Sequence, residues 1–340
     1  MTKLGSVISD IVDCEHKTAP LDDQGEYFAV GTPAMAGNVI NYSQARRISR
    51  DTFVEWTRRL TPKVGDLLLA REAPVGPVVE MPAAENVAPG QRTVLMRPDS
   101  HVVDRKYLYY ALSTPDTQTR LKEKAAGSTV AHLNVADIRS FEFPWVFPAV
   151  GVQQAIAEVL GALDDKIAAN SGLSWAADRL ASRLTQRALT SISPLGDVAD
   201  LLMGTSPAGA TMNEQGEGVA FFQGVRDFGI RAPKTRVFTV APTKLAAPGD
   251  VLISVRAPVG SVNRADRDLC IGRGLAAARS QTPNTLFHAV RLATVWESFN
   301  GEGTVFGSIN QSDLRRAQIP WTSESAVTSL ERELTPIEAR

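Results

Sequence analysis

The sequence predicts a mixed α/β (α+β) chain in which two homologous, strand-rich domains are separated by one long helix. Three observations support this prediction. Helical periodicity extends over residues 152–190, blocks of sequence before that stretch recur after it, and the remainder is short β-branched and aromatic runs broken by glycine and proline. Runs such as 219–223 and 236–240 are typical of strands.

Length and composition fit two globular domains. A chain of 340 residues is long enough for two cores, and 44% hydrophobic with 21% charged residues is ordinary for a globular protein. No apolar run approaches the roughly 20 residues of a membrane span, and the N-terminus lacks a signal-peptide core. Cys14 and Cys270 lie in different halves, which argues against a disulfide framework and favours the cytoplasm.

The predicted long helix carries apolar residues at steps of three and four positions, in two series on either side of the polar tripeptide 170–172. About 38 residues at 1.5 Å each make a rod of roughly 57 Å, which is long for a helix inside a globular domain. The apolar positions that define its main face are Ile156, Leu160, Leu163, Ile167, Leu180 and Leu184.

Three blocks recur in the same order on both sides of this helix. Residues 65–76 recur as 249–260, and residues 4–7 recur as 195–198. Near the end of each copy, a third block keeps Gly, Asn, Asp, Arg, Pro and Trp at a constant spacing. The sequence therefore predicts a first domain over residues 1–146, a central helix over 147–194, a second domain over 195–321 and a short C-terminal helix over 322–340.

Local motifs predict elements inside each copy. The Gly-Asp turn at 65–66 opens an apolar run typical of a buried strand. Asn134 with Asp137, like Asn310 with Asp313, has the spacing of an N-cap and an N3 acid, and we expect each pair to begin a short helix. Pro144 and Pro320 are predicted to end those helices.

Basic residues cluster in the parts of the two copies that differ most. The net charge is −1, so the chain is not a generally basic DNA-coating protein, but a local basic segment can still neutralise phosphates. Arg and Gln can also read base edges. A solvated surface is the alternative for either segment. The candidate DNA-binding residues are Arg46, Arg47, Arg50, Arg58, Arg59, Lys63, Arg92, His132, Gln223, Arg226, Arg231, Lys234, Arg236 and Arg273.

No common catalytic or metal-binding motif is found in the sequence. It contains no Walker-type Gly-Lys-Ser/Thr, no His-Glu-x-x-His and no Asn/Asp-Pro-Pro-aromatic motif. The glycines at 301, 303 and 307 have the wrong spacing for a dinucleotide-binding loop and predict a turn. Ser308 occupies the place of His132 in the second copy, so a shared catalytic histidine is not expected. We therefore predict no catalytic residues and no metal site.

Taken together, these blocks resemble the specificity (S) subunit of type I restriction–modification systems. The resemblance spans nearly the whole chain and depends on residues 65–76, 90–95, 127–134 and 153–170. It implies two target-recognition domains, each reading one half of a bipartite, asymmetric DNA site. It also implies that the apolar face of the central helix forms an antiparallel coiled coil with the C-terminal helix and docks two adenine methyltransferase subunits.

The resemblance further implies a non-catalytic chain without cofactors of its own. S-adenosylmethionine would bind to the methyltransferase subunits, and ATP and Mg²⁺ would serve the partner subunits of the restriction complex, including its translocase. No membrane is involved. One departure from the family pattern is the short C-terminal helix, interrupted by Pro336, which places one of the two methyltransferase docks in question.

Two other functions are consistent with the residues alone. A stand-alone DNA-binding regulator would not co-purify with an adenine methyltransferase, and a nuclease with an unrecognised site would cleave DNA when magnesium is added. The target bases do not follow from the sequence, because side-chain identity does not determine docking geometry.

Overall fold

A computed structural model of the protein describes residues 1–125, 131–300 and 307–339. It divides into two compact units, Met1–Ala168 and Ala169–Arg340. The boundary lies inside a helix of 39 residues, α5 (Val150–Ala188), which therefore begins in the first unit and ends in the second. Each unit has its own core and is described by itself.

The first unit contains a four-stranded antiparallel sheet in the order β2-β8-β5-β6 and a three-stranded sheet in the order β4-β3-β7, in which β3 and β7 are parallel. Strand β1 pairs with β9. The strands are β1 (Thr2–Lys3), β2 (Ile8–Asp13), β3 (Tyr27–Val30), β4 (Arg46–Ile48), β5 (Leu67–Arg71), β6 (Val75–Glu80), β7 (Val87–Pro89), β8 (Thr93–Pro98) and β9 (Glu142–Phe143). The helices are α1 (Arg50–Trp56), α2 (Arg105–Ser113), α3 (Pro115–Lys124) and α4 (Val135–Arg139), with 3-10 turns at Leu4–Ser6 and Thr32–Asn38.

Strand β5 is the centre of the first unit because both of its faces are buried. Leu67 and Leu69 pack in the larger apolar cluster, which includes Leu108 of α2. Leu68 points to the other face and packs with Val30 of β3. Successive side chains of a strand alternate between faces, so a strand inside two cores must be apolar throughout. The predicted buried strand after the Gly-Asp turn is confirmed.

The second unit repeats this arrangement with two additional edge strands. Its sheets have the orders β11-β19-β16-β17 and β12-β14-β13-β18-β15, β13 is parallel to β18, and β10 pairs with β20. The strands are β10 (Ser191–Pro194), β11 (Asp200–Met203), β12 (Met212–Asn213), β13 (Val219–Phe222), β14 (Val237–Thr239), β15 (Leu245–Ala246), β16 (Val251–Ser254), β17 (Val262–Arg264), β18 (Leu269–Ile271), β19 (Leu275–Arg279) and β20 (Gln318–Trp321). The helices are α6 (Leu195–Val198), α7 (Pro283–Leu292), α8 (Gln311–Arg316) and α9 (Glu324–Glu338), with 3-10 turns at Gly209–Thr211, Val225–Asp227 and Thr294–Phe299.

The strand registers confirm that the chain is duplicated. Leu67 of β5 lies opposite Met96 of β8, and Val251 of β16 lies opposite Ala278 of β19 in the same sheet position. Val251 and Leu252 also divide between two apolar clusters, as Leu67 and Leu68 do. The predicted fold class, with two strand-rich domains and one long helix, is therefore confirmed.

The predicted helix starts are confirmed, but the predicted helix ends are wrong. Helices α4 and α8 both begin with reciprocal capping boxes, Asn134 with Asp137 and Asn310 with Asp313. They end at Arg139 and Arg316, several residues before the prolines. Pro144 directly follows β9 and Pro320 lies within β20. Because a proline holds the preceding residue in an extended conformation, these prolines support the strand and not the helix end.

The predictions for the central helix and for the C-terminal helix also need small corrections. Helix α5 runs over Val150–Ala188 without a break at the polar tripeptide 170–172. Helix α9 continues through Pro336 to Glu338; a proline so close to the end removes a hydrogen bond from the last turn only. Leu330 and Leu334 of α9 share a buried cluster with Ala181 of α5. A coiled coil between the two helices stays a prediction.

No helix in the described parts of the chain combines the length and the apolar character that a membrane crossing requires. The sequence predictions for Gly127, Gly301 and Gly303 concern residues that the structure does not describe.

Candidate nucleic-acid interface

Each unit contains the same ion pair between a buried aspartate and an arginine of the neighbouring strand. The Arg97 guanidinium donates to Asp66 from Nε (2.9 Å) and Nη2 (2.7 Å), and Arg279 donates to Asp250 in the same way (2.8 and 2.7 Å). Both aspartates are buried and accept a further hydrogen bond from a backbone N–H three residues earlier. Two parallel charge-assisted bonds are geometrically specific, so they fix the Gly-Asp turn against the sheet.

A tight turn follows the second strand of the parallel pair in each unit, β7 and β18, and it begins with glycine because another chain segment passes close by. A Cβ atom at Gly90 would lie 2.4 Å from the backbone nitrogen of Gly31, and one at Gly272 would lie 2.6 Å from the Gln223 amide oxygen and 2.9 Å from the Phe221 ring. The two turns, residues 90–92 and 272–274, are therefore pressed against the neighbouring strand end, and the side chains of Gln91, Arg92 and Arg273 are exposed.

In the first unit a polar cluster surrounds the turn 90–92. The Nε atom of buried Arg71 lies 3.1 Å from Asp13 Oδ1. Arg71 also donates from Nη1 to the Leu133 carbonyl at 3.1 Å, and its Nη2 lies 3.4 Å from His16 Nδ1. Glu72 forms an isolated β-bridge with His132, and its Oε1 lies 3.3 Å from Arg92 Nε. The structure thus brings the predicted residues Arg92 and His132 together, and adds His16 and Gln91, which the sequence analysis missed.

In the second unit a corresponding cluster surrounds the turn 272–274. The Ser206 hydroxyl donates to Gln223 Oε1 at 2.8 Å and accepts from the Arg273 backbone N–H at 3.3 Å. Arg256 is exposed and forms an isolated β-bridge with Ser308. The predicted residues Gln223 and Arg273 therefore lie side by side. Ser206 and Arg256 were missed, because only the fold places them here.

Part of the first basic segment is exposed on and after strand β4. Arg46, Arg47 and Arg50 are exposed, as is Lys63 farther along the chain, and Arg47 donates from Nε to the Gly25 carbonyl at 3.0 Å. Within the described ranges, none of these four side chains forms an ion pair. A carbonyl partner leaves the arginine charge uncompensated, so all four are suited to phosphate.

Arg58 and Arg59 are different because the fold supplies them with an acidic partner. Arg58 Nη2 lies 2.9 Å from Glu15 Oε1, and Arg59 Nη2 lies 3.7 Å from the same oxygen. Glu15 is far away in sequence, so the segment appeared more positive than it is. Half of each arginine side chain remains exposed.

The second basic segment also contains both unpaired and ion-paired residues. Arg226 and Lys234 are exposed and, over the described part of the chain, have no ion-pair partner, whereas Arg236 pairs with Glu214 at 3.4 Å and Asp227 at 3.7 Å. Arg231 points elsewhere: its Nη1 lies 2.8 Å from Glu338 Oε2 in α9. Arg231 therefore helps to hold the C-terminal helix and is a poor candidate for a DNA contact.

The Glu338 carboxylate is the centre of a buried charge cluster in the second unit. His288 Nε2 donates to its Oε1 at 2.9 Å, and Arg264 Nη1 lies 3.6 Å from Oε2. Burial favours the neutral carboxyl, but the His288 hydrogen bond and the charges of Arg231 and Arg264 outweigh it and lower the pKa of Glu338. Glu331, two turns earlier in α9, accepts hydrogen bonds from backbone N–H groups at the start of α7.

The residues predicted for partner docking form an exposed apolar face on α5. In the first unit, Ile156 is 39%, Leu163 52% and Ile167 64% exposed. Ile156 and Leu160 also line an open groove of 370 Å³ with Tyr107, Tyr110 and Trp145. In the second unit, Leu180 is half exposed and Leu184 packs at the edge of the core.

The described residues contain no group of three or more His, Cys, Asp or Glu side chains placed to hold a metal ion. Cys14 and Cys270 are both buried and unpaired with each other. Burial raises the pKa of the Cys14 thiol, which makes it a poor nucleophile.

Comparison with known proteins identifies the family to which the sequence is related. Residues 6–174 match the family described as "Type I restriction modification DNA specificity domain". A relative from Methanocaldococcus jannaschii, described as a putative type I restriction enzyme MjaX specificity subunit, is 27% identical over 289 residues, which cover 76% of this chain and 68% of the relative.

A solved structure supports the fold. The S subunit of a type I restriction–modification system from M. genitalium aligns with a TM-score of 0.67 at 16% identity, over 99% of this chain and 90% of that one. The HsdS subunit from Thermoanaerobacter tengcongensis aligns with a TM-score of 0.39 at 24% identity, over 99% of this chain and 88% of that one. With its duplicated units, long helix and matching sequence, the chain belongs to the family of type I restriction–modification specificity subunits.

Proposed function

We propose that this chain recognises a bipartite, asymmetric DNA site, with one half-site read by each unit. The observation that carries the proposal is the pair of polar clusters around the turns 90–92 and 272–274. They occupy the same place in two copies of one frame, yet they present different side chains. Two equivalent surfaces with different donors and acceptors are suited to two different short sequences.

The exposed cations support the DNA contact without adding sequence information. Arg46, Arg50, Arg226 and Lys234 are exposed and can neutralise phosphates. Contacts of this kind position a protein on the duplex, whereas contacts to base edges specify the sequence.

We also propose that α5 docks the methyltransferase partners and that the chemistry resides in those partners. A row of large apolar side chains that is half exposed on a helix is typical of an interface. On this proposal, adenine methylation with S-adenosylmethionine and ATP- and Mg²⁺-dependent restriction belong to the other subunits, and this chain supplies recognition only.

The proposal is tested by co-expressing the full chain with a type I adenine methyltransferase subunit and sequencing the methylated DNA. We expect a stable complex and methylation at a split site whose halves differ. The variant Leu163→Asp in the docking face should lose the complex, and Ala162→Asp, on the same helix away from that face, should keep it. DNA binding without capture of a methyltransferase would instead indicate a stand-alone regulator.

Exchange of the second domain tests whether recognition is modular. Replacing residues 195–321 with the equivalent part of a relative should change one half of the methylated site and leave the other half intact. A change in both halves would contradict the assignment of one half-site to each unit.

A further inference from the structure

Backbone hydrogen bonds establish which residues of the two clusters are equivalent. Gly90 N–H donates to the Val30 carbonyl at 2.8 Å, and Gly272 N–H donates to the Phe222 carbonyl at the same distance. Gln91 is therefore equivalent to Arg273, and Arg92 to the glycine that follows Arg273. The bridge between Glu72 and His132 likewise corresponds to that between Arg256 and Ser308.

Equivalent backbone hydrogen bonds also align strands β2 and β11. Cys14 N–H donates to the Thr93 carbonyl at 3.2 Å, and Gly204 N–H donates to the Leu275 carbonyl at 2.9 Å. Two residues later in each unit, His16 is therefore equivalent to Ser206. Because Val30 and Phe222 are equivalent, the residues that follow them are equivalent too. The first unit has a glycine at this position, and the second has Gln223.

The frame and the clusters differ in one respect. The frame keeps the same ion pair in both units, Asp66–Arg97 and Asp250–Arg279, and both turns begin with glycine. Apart from the glycines that begin the turns, every pair of residues aligned above differs, and Glu72 even corresponds to the opposite charge, Arg256. Within one duplicated chain, the scaffold has therefore been kept while the side chains that it presents have been exchanged.

The exchanged side chains are of the types that read bases, and the structure orients some of them. An arginine can donate two hydrogen bonds to guanine O6 and N7, and a glutamine amide can pair with adenine N6 and N7. Gln223 remains exposed while the Ser206 hydroxyl holds its Oε1. Arg273 remains exposed on a turn whose backbone is tied to the same hydroxyl. An oriented, exposed amide beside an exposed guanidinium is a pre-organised donor and acceptor set.

We propose that the residues around the two turns are the base-reading residues. His16, Gln91 and Arg92 would read one half-site, and Gln223 and Arg273 the other. Arg46, Arg50, Arg226 and Lys234 would hold phosphates only. This inference rests on the proposed function and adds to it a division of labour within each unit.

The experiment is a selection of random-sequence duplex DNA with the full chain, followed by sequencing of the bound fraction. Arg273→Ala and Arg226→Ala are matched variants, because both remove an exposed arginine from the second unit. Arg273→Ala should lose the preference at one base pair of one half-site by about 5- to 140-fold, the range expected for one bidentate contact. Arg226→Ala should weaken binding to all sequences alike and leave every preference unchanged.

Arg273→Lys separates recognition from charge and from folding. It keeps the positive charge but not the planar fork of donors, so it should retain affinity for random DNA and lose the same base preference. An unchanged preference in both Arg273 variants would overturn the inference, and so would a base preference that changes in Arg226→Ala. If the unaltered chain selects no sequence at all, the proposed function itself is overturned.

Discussion

Arg97 donates two parallel hydrogen bonds to Asp66, and its Nη2 also donates to the Thr61 carbonyl at 2.8 Å. Asp66 is almost fully buried, and the Arg97 side chain is only 22% exposed. The hydrogen bond to Asp66 raises the pKa of Arg97, despite the opposing effect of burial. In the second unit the aspartate is equally buried, but the Arg279 side chain is 57% exposed.

This difference predicts unequal losses of stability. Arg97→Ala should lower the free energy of unfolding of the first unit by about 3 kcal/mol, because it leaves a buried carboxylate without its counter-charge. Arg279→Ala should cost about 1 kcal/mol, since an exposed guanidinium contributes less. Urea unfolding followed by hydrogen exchange in β5 and β16 measures both. Equal losses of protection in the two strands would contradict the burial argument.

The partner of Arg58 predicts how salt affects DNA binding. Arg46→Ala and Arg50→Ala should each lower the slope of log affinity against log salt by about 0.9, because each removes one phosphate contact. Arg58→Ala should have a smaller effect, since Glu15 already compensates much of its charge. The variant Glu15→Gln should raise affinity and restore the full effect of Arg58→Ala. If Arg46, Arg50 and Arg226 can all be replaced without any change in affinity, the basic segments are only solvated surface.

The length of α5 predicts the gap between the half-sites if the helix acts as a spacer. Seven inserted residues keep the helical face nearly unchanged and add about 10 Å, or roughly three base pairs of DNA. The insertion belongs after Ile167, on the exposed part of the helix. Sequencing of methylated sites should show a longer gap with both half-sites intact. An active complex with the original gap would show that another element determines the spacing.

The lowered pKa of Glu338 predicts acid sensitivity of α9. A carboxyl whose pKa is lower in the folded state stabilises that state above its ordinary value of 4.5, and the stabilisation is lost as the pH falls through the folded pKa. The protection of the α9 amides against hydrogen exchange, relative to an unfolded chain at the same pH, should therefore fall below about pH 4.5. Glu338→Gln should show fast exchange already at neutral pH. Glu333→Gln, an exposed change in the same helix, should behave like the unaltered chain.

Local patterns were sufficient to predict the frame of this fold. The Gly-Asp turn, the capping boxes and the helical periodicity act over a few residues, so they can be recognised in sequence. The positions of Pro144 and Pro320 were misread because a proline favours an extended residue before it whether that residue follows a helix or lies in a strand.

The sites were harder to predict because they depend on contacts between distant segments. The compensation of Arg58 by Glu15 and the capture of Arg231 by Glu338 join residues far apart in the chain. His16 and Ser206 carried no signal of their own; only the registers of their strands show that they are equivalent. An alignment of the two copies strand by strand would reveal both residues.

The close contact at Gly90 and Gly272 has a consequence for how new target sequences can arise. A Cβ atom at Gly90 would collide with the backbone of Val30 and Gly31, and one at Gly272 would collide with the side chains of Gln223 and Phe221. Both positions therefore favour glycine. The next residues, Gln91 and Arg273, are exposed, and exchanges at exposed positions usually change stability by less than about 0.5 kcal/mol. A lineage under pressure to alter its DNA target can therefore change these side chains step by step, with an intact fold at every intermediate.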